Sequence, residues 1–280
     1  MYYIIRESRI QEASRITEHL IQNVQTQITI EDPALLYNLA EAQHVAAHII
    51  SLTSSANQSY KAIPYYQEME TIARQTNNQT QLNIALTYQG DMYRRLGDIN
   101  QAITYLEGAR DTTPNADIAA KGNNHQLLAR AYLRKKDLSN FNREMDKAEE
   151  ATYHFNPDTS STRGHYNIGL VYEEYGRSYA DLGKMEKALE YLERAKAALP
   201  STLLWELLIK TAKALALVKG GELQEGIQLA TETTNALYTI NNLRYLDRVH
   251  IIEQYLNKKE EYYSRKQREI RKISAPLREA

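Results

Sequence analysis

The feature that most constrains this chain is a segment that occurs twice. Leu86, Gly90, Tyr93, Gly97, Ala102, Leu106, Ala109 and Pro114 appear in order, and Tyr172, Gly176, Tyr179, Gly183, Ala188, Leu192, Ala195 and Pro200 follow at identical offsets without a gap. Such self-similarity marks stacked repeats rather than a single layered core. Within each copy the spacing is helical. Leu86, Gly90 and Tyr93 fall at i, i+4 and i+7 on one stripe, and Ala102, Leu106 and Ala109 do so on a second. The small residues Gly90, Gly176, Ala102 and Ala188 allow two antiparallel helices to approach closely. Gly97 and Gly183 stand where the first helix must stop, since glycine accepts the left-handed backbone of a helix end. Pro114 and Pro200 end the second helix. Each unit is therefore expected to be a helical hairpin.

Weaker copies fill the remainder. Ala129, Tyr132, Phe141, Met145 and Ala148 fit the frame, with Lys136 in place of the turn glycine. Ala214, Leu217, Gly221, Gly226 and Ala230 fit near the C-terminal end, and Ile50, Asn57, Ala62, Tyr66 and Met69 give a degenerate first copy. Ala62, Ala102, Phe141, Ala188 and Gly226 occupy one register, at intervals of 40, 39, 47 and 38 residues. The longest interval contains the loop candidate from His154 to Thr162. The expected organisation is one domain over 1–280, with units near 43–76, 83–116, 122–155, 169–202 and 207–240. Residues 1–35, where Ile10, Ala13, Ile16, Leu20 and Val24 recur at helical spacing, form an N-terminal capping helix. Residues 241–280 form a C-terminal capping helix with a basic tail.

These motifs resemble the tetratricopeptide repeat in residue type and order, closely over 83–116 and 169–202. The period near 40 is longer than the usual length of about 34 residues. In this it is similar to the sensor regions of bacterial peptide-responsive regulators. The resemblance implies an all-α fold, a right-handed superhelix of antiparallel helix pairs (an α-solenoid). Its concave groove is expected to hold a peptide or protein ligand. Carried over position by position, the groove face comprises Thr87, Asp91, Arg94 and Arg95 in the second unit. Asn123, Gln126, Arg130 and Arg134 follow in the third, and Glu173 and Arg177, with Asp181, in the fourth. Thr211 and Lys219 extend the face into the fifth unit. Arginine forks and side-chain amides suit the carboxylate and backbone of a peptide. The competing reading is a solvated face whose arginines pair with Asp91, Glu173 and Asp181. The lysine and asparagine set with which some family members clamp chaperone carboxylates is not reproduced.

Composition closes several other routes. With 11 Gly and 6 Pro in 280 residues there is little material for the turns of an all-β fold. The 21 Tyr, against 2 Phe and 1 Trp, suit thin helix seams where a ring fills the gap and its hydroxyl reaches the rim. The absence of cysteine excludes disulfides, thiolate metal sites and cysteine nucleophiles, and fits a reducing, cytoplasmic setting. No apolar run approaches a membrane span, so no membrane association is expected. His44 and His48 have the i, i+4 spacing of a zinc pair but lack the intervening glutamate of a protease motif. No catalytic motif, cofactor loop or metal cluster is recognisable, so a binding protein without enzymatic activity, cofactor or metal is expected. A phosphatase-like regulator is the remote alternative. Net charge is −1, yet residues 257–280 carry eight basic and four acidic groups, leaving −5 on the rest. Nucleic acid is expected to be reached only through that tail or a separate domain. Self-association through the convex face or terminal helices, as a homodimer, is the structural alternative to ligand binding.

Overall fold

The computed structural model describes residues 10–27, 32–156, 166–240 and 242–274. The N-terminal part comprises α1 (Ile10–Gln27), α2 (Pro33–Thr53), a 3₁₀ helix (Ala56–Ala62), α3 (Ile63–Gln75), α4 (Gln79–Leu96), α5 (Ile99–Thr112) and α6 (Ile118–Arg134). The chain continues with α7 (Leu138–Tyr153), α8 (Ile168–Asp181), α9 (Met185–Ala198), α10 (Leu203–Gly220), α11 (Leu223–Thr239) and α12 (Leu243–Ser274). No strand occurs among the described residues. The helices pack as five hairpins, α2/α3 through α10/α11, each also packed on the next, with α1 lying on α2.

Local chemistry starts and stops these helices. Asn78, Asp98, Asp117, Asp137, Asn167 and Thr202 each place a side-chain oxygen where it accepts a first-turn backbone N–H. Each such cap contributes about 1 kcal/mol. Gly90 lies where α4 meets α5, and a Cβ there would sit 2.6 Å from Leu106 Cγ and 3.0 Å from the Ala102 carbonyl oxygen. Gly176 repeats the arrangement against Leu192 Cγ at 2.7 Å. The duplicated glycines are thus the contact points of the hairpins. At the α4 end Gly97 has φ 90°, and the next amide, Asp98 N, bonds back to the Tyr93 carbonyl at 3.0 Å. Lys136 adopts the same left-handed turn at φ 65°, with Asp137 N on the Tyr132 carbonyl at 2.9 Å. A lysine does this at a cost of about 1 kcal/mol, which the closing bond offsets.

The first hairpin begins at Pro33, ten residues before the start expected from the repeat frame. Asp32 caps it by accepting from Ala34 N at 2.9 Å, and Pro33 supplies the first-turn φ. α2 therefore runs for 21 residues, and a 3₁₀ helix replaces the tight turn of the later units. That substitution is why the first copy reads as degenerate. The end of the expected 154–162 loop, from Pro157 on, lies outside the described residues, as do residues 1–9 and 275–280. The tyrosines fill seams as their amphipathic character requires: Tyr93 stacks on Tyr105 at 5.2 Å, and Tyr191 sits 4.8 Å from Tyr175 and 5.5 Å from Tyr179.

The C-terminal helix does more than cap. Its first turns pack on α10 and α11 and also reach α2, at the other end of the chain.

Candidate functional site

The first helix of every hairpin contributes to one cavity of about 460 Å³. Its wall is built from α2 (Tyr37, Glu41, His44, His48, Leu52), α4 (Gln81, Ile84, Tyr88) and α6 (Ala119, Ala120, Asn123, Gln126, Leu127, Arg130). Glu173 of α8, Leu204, Trp205 and Leu208 of α10, and Arg244, Tyr245 and Arg248 of α12 complete it. Spacings of three and four residues put each set on one helical stripe. No lining residue comes from α3, α5, α7, α9 or α11, so this is the inner, concave surface of the stack. The size is that of a small-ligand site.

One side of the cavity is made by a buried ion network. Asp91, with no exposed surface, accepts from Arg94 Nη2 at 2.7 Å and from Arg244 Nη2 at 2.9 Å, with Arg130 Nη1 at 3.9 Å. Glu174, equally buried, is held by Arg130 and Arg177. Arg248 donates to Glu173 at 2.8 Å and lies 4.8 Å from the Tyr245 ring. Arg95 donates to the Ser51 and Ser54 carbonyl oxygens, each at 2.9 Å, and to Asp247 at 3.2 Å. Arg244 also donates to Ser51 Oγ at 2.7 Å. Two ion pairs, Arg95–Asp247 and Arg244–Asp91, therefore tie the start of α12 to α4, and Ser51 brings in α2. The stack is closed across its concave side.

Burying charge is costly unless each group is paired. Six arginines (94, 95, 130, 177, 244, 248) share four carboxylates (Asp91, Glu173, Glu174, Asp247). Burial alone would raise the carboxyl of Asp91, but Arg94, Arg244 and Arg130 hold it far below the usual carboxylate range. Glu174 is also held far down: burial opposes ionisation, and Arg130 and Arg177 override it. The surplus of cations appears on the arginines. Burial, reinforced by Arg130 and Arg177, brings Arg94 down to about 9 although Asp91 opposes the shift. Burial and then Arg130 bring Arg177 down to about 10. Arg130 stays above its ordinary value because Glu174 outweighs the burial penalty.

Of the residues expected in the groove, Asp91, Arg94, Arg95, Arg130, Glu173 and Arg177 are brought together in this network. Asn123, Gln126, Arg130 and Glu173 line the cavity itself. Asn123 lies beside the Tyr88 hydroxyl, and Gln126 Nε2 donates to the Leu170 carbonyl at 3.3 Å. Two expectations need correction. Thr87 is buried between α4 and α6, where its Oγ1 accepts from Asn124 Nδ2 at 3.0 Å, so it faces the seam with the next hairpin rather than the groove. Arg134 is exposed at the end of α6 and is absent from both the cavity wall and the network. Farther along, Thr211 is buried and donates to the Leu208 carbonyl, while Asp181 and Lys219 pair at 3.6 Å.

Sequence reasoning missed Glu174, although its i, i+3 spacing to Arg177 was legible. It also missed Arg244, Asp247 and Arg248, whose helical spacing was visible but whose fold-back onto α2 and α4 has no local signature. The histidine pair belongs to the aromatic wall: the His44 ring lies 5.2 Å from Tyr88 and 6.5 Å from His48. No group of three metal-ligating side chains occurs among the described residues. None of the described helices is long and apolar enough to cross a membrane.

A helical-repeat solenoid with a ligand-sized inner cavity is the class that fold and site define. Residues 171–198 match the family model described as "Tetratricopeptide repeat". BtubC (BKLC) from P. vanneervenii shares the fold at TM-score 0.51 and 13% identity, over 83% of this chain and 92% of that one. A Podosopora anserina protein of nearly identical TPR-like repeats, put forward as a kinesin light chain, aligns at TM-score 0.44 and 19% identity, over 74% of this chain and 97% of that one. No curated protein matches significantly in sequence. The fold is that of a tetratricopeptide-like repeat solenoid, and within it the α8/α9 unit carries the match to the family model.

Proposed function

We propose that this chain is a peptide- or protein-binding scaffold without enzymatic activity, the sensor part of a bacterial-type regulator, with its ligand in the concave cavity. The observation that carries this reading is the cavity itself: about 460 Å³ of space whose wall mixes aromatic rings, amides and a cation-rich floor. Such a mixture fixes both the backbone and the ends of a peptide. Regulation follows from the position of α12. Arg244, Tyr245 and Arg248 line the cavity, and Arg244 also holds α12 to α2 and α4. A ligand that contacts these side chains differently in two arrangements of α12 shifts the balance between them.

The test is selection of displayed decapeptides on the immobilised chain, followed by the same selection on Asn123→Trp. The indole would fill the cavity from the α6 wall. Peptides enriched on the parent chain and lost on the variant, with circular dichroism unchanged, support the reading. Equal enrichment on both places binding elsewhere and removes it.

Self-association is the second reading, favoured by one observation. From Asn257 to Arg268 every side chain of α12 is exposed, including Tyr262 and Tyr263 at 46% and 63%. Sedimentation at several concentrations separates the two, since a concentration-independent monomer excludes assembly as the main role.

A further inference from the structure

The cavity is polarised. At one end Arg130, Arg244 and Arg248 face in, against Glu173 alone among the lining acids. Arg130 is 7% exposed, and its Nη1 has only the long 3.9 Å approach to Asp91. Among the described residues, Arg248 donates through Nη1 to Glu173. Nearby, Arg177 Nε is buried with no acceptor. The network therefore holds more donors than its carboxylates take up, and the depressed arginines beside it reflect the same imbalance.

The other end has the opposite sign. Glu41 accepts one hydrogen bond, from Gln81 Nε2 at 3.0 Å, and pairs with no basic side chain among the described residues. Of the two carboxylates among the described wall residues, Glu41 and Glu173, it is the one not held by an arginine. Ser51, which binds Arg244, lies ten residues along α2 from Glu41. At a rise of 1.5 Å per residue the two ends are about 15 Å apart. An extended peptide advances about 3.3–3.6 Å per residue, so roughly four residues span that gap. The rest of the wall mixes apolar and aromatic side chains, Trp205 and Tyr88 among them, with the amides of Asn123 and Gln126 and the rings of His44 and His48.

From this arrangement we infer that the cavity takes a short peptide of about four residues with both termini free. Its α-carboxylate sits on Arg130, Arg244 and Arg248, and its α-ammonium sits at Glu41. The inference rests on the peptide-binding reading above and adds the length, the orientation and the termini. An arginine cluster in a low-dielectric site binds a carboxylate bidentately, whereas a blocked amide would leave those donors unpaired.

Trp205 is the single tryptophan of the chain and lies in the cavity wall, so its emission reports occupancy directly. The probes are three tetrapeptide pools of matched side-chain composition: free termini, C-terminally amidated, and N-terminally acetylated. They are titrated into the full chain while Trp205 emission and the melting temperature are followed. The free pool is expected to shift both. Amidation should weaken binding roughly tenfold or more, as loss of a charged hydrogen-bonded contact does. Acetylation should weaken it by a smaller factor, and Glu41→Gln should remove the distinction between free and acetylated pools. Equal binding of the free and amidated pools overturns the carboxylate assignment while leaving the groove as a peptide site. Silence from all three pools overturns the inference, and the groove reading is then decided separately by the displayed decapeptides. Because the ligand is varied rather than the protein, the decisive comparison does not depend on a variant that must fold.

Discussion

Asp91→Asn is the sharpest test of the buried network. The change is isosteric and removes one negative charge from beneath three arginines: Arg94 at 2.7 Å, Arg244 at 2.9 Å and Arg130 at 3.9 Å. Asp91 has no exposed surface, so water cannot replace the lost charge. Breaking a buried, hydrogen-bonded ion pair costs about 3–5 kcal/mol, because the partner is left charged and uncompensated. Unfolding entropy of about 2.1 cal/mol/K per residue gives about 0.6 kcal/mol/K for a chain of this length, so the melting point should fall by about 5–8 °C. Differential scanning calorimetry at neutral pH measures it. The control is Glu190→Gln, which breaks the exposed i, i+4 pair to Arg194 at 2.6 Å. A pair of that kind contributes about 0.3–0.5 kcal/mol, and its loss should move the melting point by less than about 1 °C. Combining Asp91→Asn with Arg244→Gln should cost less than the two single changes added together, since each removes the other's reason to be charged. If Asp91→Asn melts within about 1 °C of the parent, the cation surplus and the closure by α12 are both misjudged.

Two further perturbations probe a hairpin contact and a buried carboxylate of α7. Gly90→Ala should destabilise by about 1–3 kcal/mol, because the new methyl meets Leu106 and the Ala102 backbone, whereas Gly108→Ala, with nothing within 4 Å, should stabilise by up to about 1 kcal/mol; thermal melts of both variants check the signs. Glu144 has no exposed surface and contacts His125 Nδ1 at 2.6 Å; burial pushes its carboxyl up, but His125, Arg143 and Lys147 bring it down from its ordinary 4.5 to about 2. A carboxyl so depressed stabilises the fold above pH 4.5, and that contribution is lost as pH falls towards 2. Melting curves of Glu144→Gln and the parent should therefore converge on acidification through this window, and a gap that stays constant would contradict it.

The hairpins were legible because their signals are local. The glycines at 90, 97, 176 and 183 each answer a steric demand within one unit, and the structure places a contact or a left-handed turn at every one. Lys136 was recognised as a turn residue from the frame of the repeat despite its chemistry. The inner face was legible in part, since helical spacing puts Asp91, Arg94 and Arg95 on one side of α4. Thr87 shares the stripe of Asp91, but one turn earlier that stripe is covered by α6, where Asn124 meets it. What could not be read was the closure. Arg244 and Asp91 are 153 residues apart, and no periodicity within α12 says that its first turns cross to α2 and α4. For the same reason the arginines, taken alone, looked free for a guest, whereas most of them are already engaged by the protein's own carboxylates.

A ligand bound inside the concave cavity must bury the backbone of the inner helices. Amide hydrogen exchange, measured with and without a peptide selected on the chain, tests it most directly. New protection is expected in α2, α4, α6 and the first turns of α12, the helices that supply most of the wall. Protection confined to α5, α7, α9 and α11, with those inner helices unchanged, would contradict it.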